Sequence, residues 1–169
     1  MMKLVNDIKE ANCITHGGTM HADEVFATAF LEMYWNDIKV YRTMEINPDE
    51  FPKDVLIYDI GRGIFDHHQI DALKRENGIT YSSFGLLWKA FGLDYLKRRE
   101  IEQAEDVFEA IEKDFVIAID ADDNGIFPKI EIKQLDERLP VYNMEMEGHH
   151  NYLITENKLL VHNSARSPI

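Results

Sequence analysis

Four of the seven histidines fall in two short segments: His16 and His21 in THGGTMHADE, and His67 and His68 in FDHHQ. Acids stand beside them, with Asp23 close after His21 and Asp66 directly before His67. Asp59 closes the apolar run VLIYD, Asp120 closes FVIAID, and Asp123 follows within DADDNG. Imidazole and carboxylate together suit manganese, iron or zinc, whereas carboxylate alone suits magnesium or calcium. Two divalent ions about 3.5–4 Å apart neutralise phosphoryl oxygens and supply hydroxide at neutral pH, which is what phosphoester hydrolysis requires. Ions so close repel, so such a centre needs several carboxylates, at least one of them bridging.

Taken singly, each residue has an ordinary explanation. A histidine after a strand is usually a polar residue leaving the core. Asp-Asn-Gly is usually a turn. An acid followed by two histidines, just after a glycine-broken apolar run, has little structural purpose. The combination of HGGTMHADE, VLIYD, DHHQ and AIDADDNG in this order therefore points to a metal site.

Elements must bring these segments together. Residues 12–15 read as a strand ending at His16. Residues 23–35 read as a helix capped by Thr19 or Asp23, with Val25, Phe26, Ala29, Phe30 and Met33 as its apolar face. Residues 38–43 alternate as a strand does. Residues 55–60 read as a short buried parallel strand broken by Gly61 and Gly63. Ser82 and Ser83 precede a helix and offer hydroxyl caps. From Glu100, apolar residues at 101, 104, 108, 111, 115 and 118 predict an amphipathic helix running into FVIAIDADDNG. Alternating strands and helices predict an α/β fold, a mostly parallel sheet flanked by helices. In such sheets sites form outside the carboxyl ends of the strands, where His16, Asp59 and Asp120 are expected. Gly17, Gly18, Gly61 and Gly63 fit loops that approach a ligand closely.

Composition bounds the function. The 169 residues carry a net charge of −13. Residues 1–127 hold 13 Lys/Arg and 25 Asp/Glu, so 13 − 25 places −12 of that charge there. So acidic a chain is a poor sequence-independent DNA binder, since that binding depends on Lys and Arg displacing counterions. No apolar run approaches the ~20 residues of a membrane span, and MMKLVNDIKEAN lacks the apolar core of a secretory signal. The single cysteine, Cys13, is expected to be a small buried residue. A reducing, cytoplasmic setting is the default expectation. Trp35, Trp88, Phe84 and Phe91 are expected in the core, and Lys97-Arg98-Arg99 reads as a solvated helix end. Composition shifts near Pro128, which divides the chain into residues 1–127 and a β-rich tail, 128–169.

The stretches THGGTMHADEVFA, VLIYDIGRGIFDHHQ, RENGITYSSFGLLW and AIDADDNGI resemble the melanocyte-proliferating-gene family, relatives of the DHH phosphoesterases. That resemblance implies a DHH-like metal-binding domain with two divalent ions, manganese foremost, and activity as an RNA exonuclease or phosphodiesterase on short nucleic acid or another phosphoester. By it, His16, His21 and Asp23 form the first ligand motif and Asp59 bridges the ions. Asp66, His67 and His68 form the third motif, in which one histidine is free to contact phosphate. Asp120 is the fourth, with Asp123 its rival. The resemblance ends near Ile126, whereas family members continue into a second, substrate-binding domain. A metal-holding fragment without turnover is thus the alternative reading.

The tail phrase VYNMEMEGHHNYLITENKLLVHNS resembles the C-terminal end of inteins and Hint domains. The matching residues are His149 or His150, then His162, Asn163 and Ser164. The resemblance implies cyclisation of Asn163 with a histidine as general acid, and Ser164 as acyl acceptor. The sequence does not offer the N-terminal half of that machinery, so the tail reads either as a remnant of a gene fusion or as one half of a split pair, whose partner is a complementary Hint fragment.

Overall fold

The computed structural model describes residues 1–44, 52, 54–126, 151–154 and 159–162, the last two stretches as backbone only. The chain forms two compact units, Met1–Lys129 and Ile130–Ile169.

The first unit is built on a parallel four-stranded sheet of order β1-β3-β2-β4, comprising β1 (Lys3–Leu4), β2 (Cys13–His16), β3 (Lys39–Thr43) and β4 (Leu56–Ile57). β2 lies inside the sheet, with Cys13 and Ile14 fully buried, as expected of a parallel strand covered on both faces. Burial pushes the Cys13 thiol up to about 12 and leaves it chemically quiet. β4 is shorter than the expected run over 55–60, because Asp59 turns to φ 57° and leaves strand geometry.

Helix α1 (Ala22–Trp35) connects β2 to β3. Its cap is His21, not Thr19 or Asp23, and its inner face is Asp23, Glu24, Ala27, Phe30 and Leu31. Val25 and Met33, expected inside, are 44% and 47% exposed. The apolar spacing of this helix was satisfied by a neighbouring stripe, because the buried face begins with two acids that hydropathy counts as exterior.

Helix α2 (Ser83–Arg98) packs on α1 through Phe30, Leu87 and Trp88. The Phe30 and Trp88 rings meet edge-on at 5.4 Å, and Trp88 stacks on Phe108 at 5.4 Å. Gly92 makes room for that indole, since a Cβ there would lie 2.7 Å from it. Trp35 departs from the expected core and is 42% exposed. At the end of α2, Lys97 pairs with Glu105 and Arg98 with Asp94.

The expected helix from Glu100 begins instead at Ala104, after Glu100 and Gln103 adopt positive φ. It runs as α3 (Ala104–Ile111), a π-helical turn (Glu112–Val116) and α4 (Ile117–Asp123). A π turn inserts one residue into the helical phase. Positions 104, 108 and 111 hold the inward stripe before it, and Val116 and Asp120 hold it afterwards. Ala118, predicted inside, is thereby exposed, and Phe115 is left 41% exposed with its ring edge-on to Phe26 and Phe84. FVIAID is also helix rather than strand, so Asp120 does not sit at a strand end. No helix among the described residues is long and apolar enough to cross a membrane.

In the second unit, β5 (Asn151–Ile154) and β6 (Leu159–His162) pair antiparallel, with Asn151 opposite His162. His149, His150, Asn163 and Ser164 lie outside the described residues, as does PVYNM.

Candidate metal centre

β2 delivers His16 to the sheet edge. The chain turns through Gly17 and Gly18 into α1, and Gly18 takes φ 84°. The first turn of α1 then presents Asp23 and Glu24, both fully buried. Acids are favoured there by the helix dipole. Glu24 accepts from the His21 backbone N–H at 3.4 Å and from Arg42 at 3.0 Å.

The second set comes from the loop after β4. Asp59 tolerates its left-handed backbone better than most residues would. Asp66 organises the rest of this loop. One of its oxygens accepts from the Arg62 N–H at 2.5 Å, and the other from the His68 N–H at 3.1 Å and His68 Nδ1 at 2.7 Å. Burial pushes Asp66 upward, but these donors outweigh it and hold its carboxyl below the usual range. Asp66 therefore orients His68 and Arg62 instead of facing the cluster.

At the centre the donor atoms crowd together. The Nδ1 of His16 lies 2.6 Å from the Gly17 carbonyl, which only accepts, so Nδ1 carries the proton. Nε2 is the ring atom turned to the acids, in contact with Glu24 and 3.1 Å from Asp59 Oδ2. His67 Nε2 lies 3.1 Å from both Asp59 Oδ1 and Asp123 Oδ2. His16 Nε2, Asp23 Oδ1, Asp59 Oδ2 and Asp123 Oδ2 are all buried without a hydrogen-bond partner. Converging unpartnered lone pairs are costly to bury, and a shared cation is what such a donor set fits.

Donor atoms within 4.8 Å of one another form overlapping groups: His16, His21 and Glu24; Asp59, His67 and His68; His21, Asp23 and Asp123; and Asp23, Glu24 and Asp59. Asp23, Glu24 and Asp59 each belong to two of these groups, as shared carboxylates would, and so does His21.

The charges answer to this crowding. Burial, then repulsion from Asp59 and Asp123, pushes Asp23 up to about 8. Burial alone would lower His67, but its bond to Asp59 and the charges of Asp123, Asp59 and Asp23 raise it. Without a metal, protons thus do part of a cation's task. A raised carboxyl makes the folded state retain a proton that the unfolded chain releases above its ordinary value of 3.8. Its contribution to stability is therefore fullest at low pH and is lost as pH rises through about 8. We expect the metal-free protein to lose melting temperature progressively from pH 3.8, the ordinary carboxyl value, up to about pH 8 and to level off above it. Asp23→Asn should flatten that fall while weakening metal binding. A thermal melt series with chelator checks this, and an unchanged slope in the variant would contradict it.

Asp120 goes elsewhere. It is fully buried in α4 and accepts from Arg75 at 2.6 Å, from Ser82 Oγ and from the Gly85 N–H at 3.1 Å. Burial raises its pKa in spite of those donors. Asp123, one helical turn on, is the member of the pair that reaches the cluster. Glu24 escaped the sequence reading although it directly follows Asp23 in HADE. Arg62 and Ser83 escaped it too, one inside a glycine-flanked loop and the other read as a helix cap.

A cleft of about 310 Å³ opens onto the cluster, lined by His16, His21, Asp59, Arg62, Asp66 and His68 among others. A larger hollow of about 450 Å³ lies among Phe26, Phe30, Trp88 and Phe115, and no acid or imidazole lines it. Of these two, the first has groups for chemistry.

Comparison with known proteins places these residues in a family. Residues 12–152 match the MYG1_exonuc model, described as an uncharacterised protein family (UPF0160). The match runs past Ile126, where the resemblance was expected to end, and into the β-rich tail. A MYG1 protein of Saccharomyces cerevisiae is 31% identical over 140 residues, covering 74% of this chain and 40% of its own. One of Schizosaccharomyces pombe is 32% identical over 168 residues, covering 82% and 51%. A MYG1 protein of Dictyostelium discoideum is 29% identical over 124 residues, covering 66% and 38%. The chain spans about half the length of these relatives or less. No solved structure shows significant similarity to it. The matched stretch contains every described residue of the cluster, from His16 to Asp123, and on that match the chain belongs to the MYG1 family.

Proposed function

We propose that the chain is a divalent-metal-dependent phosphoester hydrolase acting on short nucleic acid, RNA foremost, with two manganese ions held between its histidines and acids. The observation that carries this is the convergence of bare buried atoms from His16, Asp23, Asp59 and Asp123. The exonuclease label of the matching family model points the same way.

His16, His21 and Glu24 form one ligand group, and Asp59, His67 and His68 the other. Asp23 would link them, since it groups with Glu24 and Asp59 and also with His21 and Asp123. Bound there, the ions supply charge neutralisation for phosphoryl oxygens and a hydroxide near neutral pH. The protein's own part is orientation. Asp66 holds His68 by Nδ1, which leaves Nε2 as that ring's lone pair. The same carboxylate pins the strained backbone of Arg62, the one Lys or Arg among the residues lining the cleft, where it meets a phosphoryl oxygen of the substrate. A net charge of −13 disfavours long polyanions, so short substrates held locally suit this surface.

The test is hydrolysis of a labelled short RNA by the full chain with manganese, followed by chelation. Metal-dependent shortening that chelator abolishes is expected. Bound manganese with no hydrolysis of RNA, oligonucleotide or a simple phosphodiester would overturn the enzymatic reading and leave a metal-holding fragment.

A further inference from the structure

We propose that Ser83, the first residue of α2, is a positioning residue for this centre. It fixes one oxygen of Asp59 and one of Asp23, and so leaves the other oxygen of each to be shared between two ions. The inference rests on the metal-dependent reading above.

Serine in the first turn of a helix commonly bonds its own backbone or faces solvent. Neither Ser82 nor Ser83 does so. Both are fully buried, and the N-cap residue Ser82 makes no side-chain capping bond of its own. Ser83 Oγ–H donates to Asp59 Oδ1 at 3.1 Å, and Ser83 N–H donates to Asp23 Oδ2 at 3.3 Å. The opposite oxygens, Asp59 Oδ2 and Asp23 Oδ1, are the ones left bare. One residue thus splits each of two carboxylates into an anchored oxygen and a free one.

The rest of the α2 start is fixed as firmly. Asp120 accepts from Ser82 and from the Gly85 N–H, and Arg75 locks Asp120 from the other side. The approach is close: a Cβ on Gly85 would lie 1.9 Å from Asp120 Oδ2. Asp120 therefore reaches the metal centre through α2 and Ser83, without touching it.

The consequence follows from carboxylate geometry. A carboxylate free to rotate can grip one cation with both oxygens. Held by a hydroxyl, it turns less readily, and its other oxygen is the one more open to a cation. Removing the hydroxyl should leave the first ion bound and weaken the second, because Asp59 can then turn onto a single ion. The Ser83 N–H remains in any variant, so Asp59 is affected and Asp23 spared.

The experiment is a manganese titration of the full chain by calorimetry, with electron paramagnetic resonance of the loaded protein. Wild type should show two ions and a spin-coupled pair. Ser83→Ala should keep the first affinity and weaken the second by about tenfold or more, the usual cost of losing an outer-shell partner. Its spectrum should become that of an isolated ion. Ser83→Thr keeps the hydroxyl donor and should retain both affinities, which separates the loss in Ser83→Ala from a packing defect. Ser83→Ala showing both wild-type affinities and the coupled signal would overturn the proposal while leaving the metal reading intact. Failure of wild type to bind a pair would overturn both, and needs no variant to reveal it.

Discussion

Asp59→Asn should reduce metal-dependent phosphodiester hydrolysis on the order of 10³-fold or more, a loss typical of removing a group that stabilises reaction charge. The substitution isolates charge well. Asp59 sits at φ 57°, and asparagine is among the few residues that accept this conformation. The loop should therefore keep its path, including the bond from Asp59 N–H to the Phe65 carbonyl at 3.0 Å. What changes is the site. Asp59 is 2% exposed and faces His16 with one oxygen and His67 with the other. An amide presents one neutral oxygen and, on the other side, an N–H that no metal accepts. Melting temperature of the metal-free variant should equal or exceed that of wild type, because a crowded buried charge is gone. Activity within tenfold of wild type would remove Asp59 from the centre of the site.

Arg75→Ala should destabilise the first unit by about 3–5 kcal/mol, the cost of leaving buried charge without its partner. The Arg75 side chain is 7% exposed, binds Glu112 and Asp120 at 2.6 Å each, and lies 3.7 Å over the Tyr81 ring. Its removal strands Asp120, which is fully buried. Asp120 is already raised by burial, so the variant can recover part of the loss by binding a proton. The destabilisation should therefore be larger at pH 8 than at pH 5. Adding Asp120→Asn to Arg75→Ala should cost much less than the sum of the two single changes, since both act on one pair. Urea unfolding of the three variants measures this. A change in midpoint equivalent to less than about 1 kcal/mol for Arg75→Ala would place the pair among weak surface bridges.

The parallel sheet and its helices were legible in the sequence because period and burial agree there. CITH, KVYRT and the Leu87–Trp88 face of α2 are apolar where the core is. Legibility failed where a polar group is buried or a helix changes phase. α1 turns Asp23 and Glu24 inward, which no hydropathy pattern announces, and Val25 and Met33 turn outward as a result. The π turn at Glu112–Val116 advances the inner stripe by one residue. The helix continues through FVIAID, so Asp120 is not at a strand end but goes to Arg75, and Asp123 goes to His67. Ser82 and Ser83 have the residue type of caps, and only the tertiary structure shows carboxylates taking their donors. The histidines and acids of the candidate site stood out by type and spacing. Which oxygen each acid leaves free is a property of packing, and spacing does not contain it.

The most direct measurement is an anomalous difference map from crystals of the full chain soaked in manganese. Two peaks about 3.5–4 Å apart are expected. Asp59 and Asp23 should lie between them, His16 and His21 on one side and His67 and His68 on the other. A map without peaks at this cluster, or with a single ion that Asp59 does not touch, would contradict the two-ion centre.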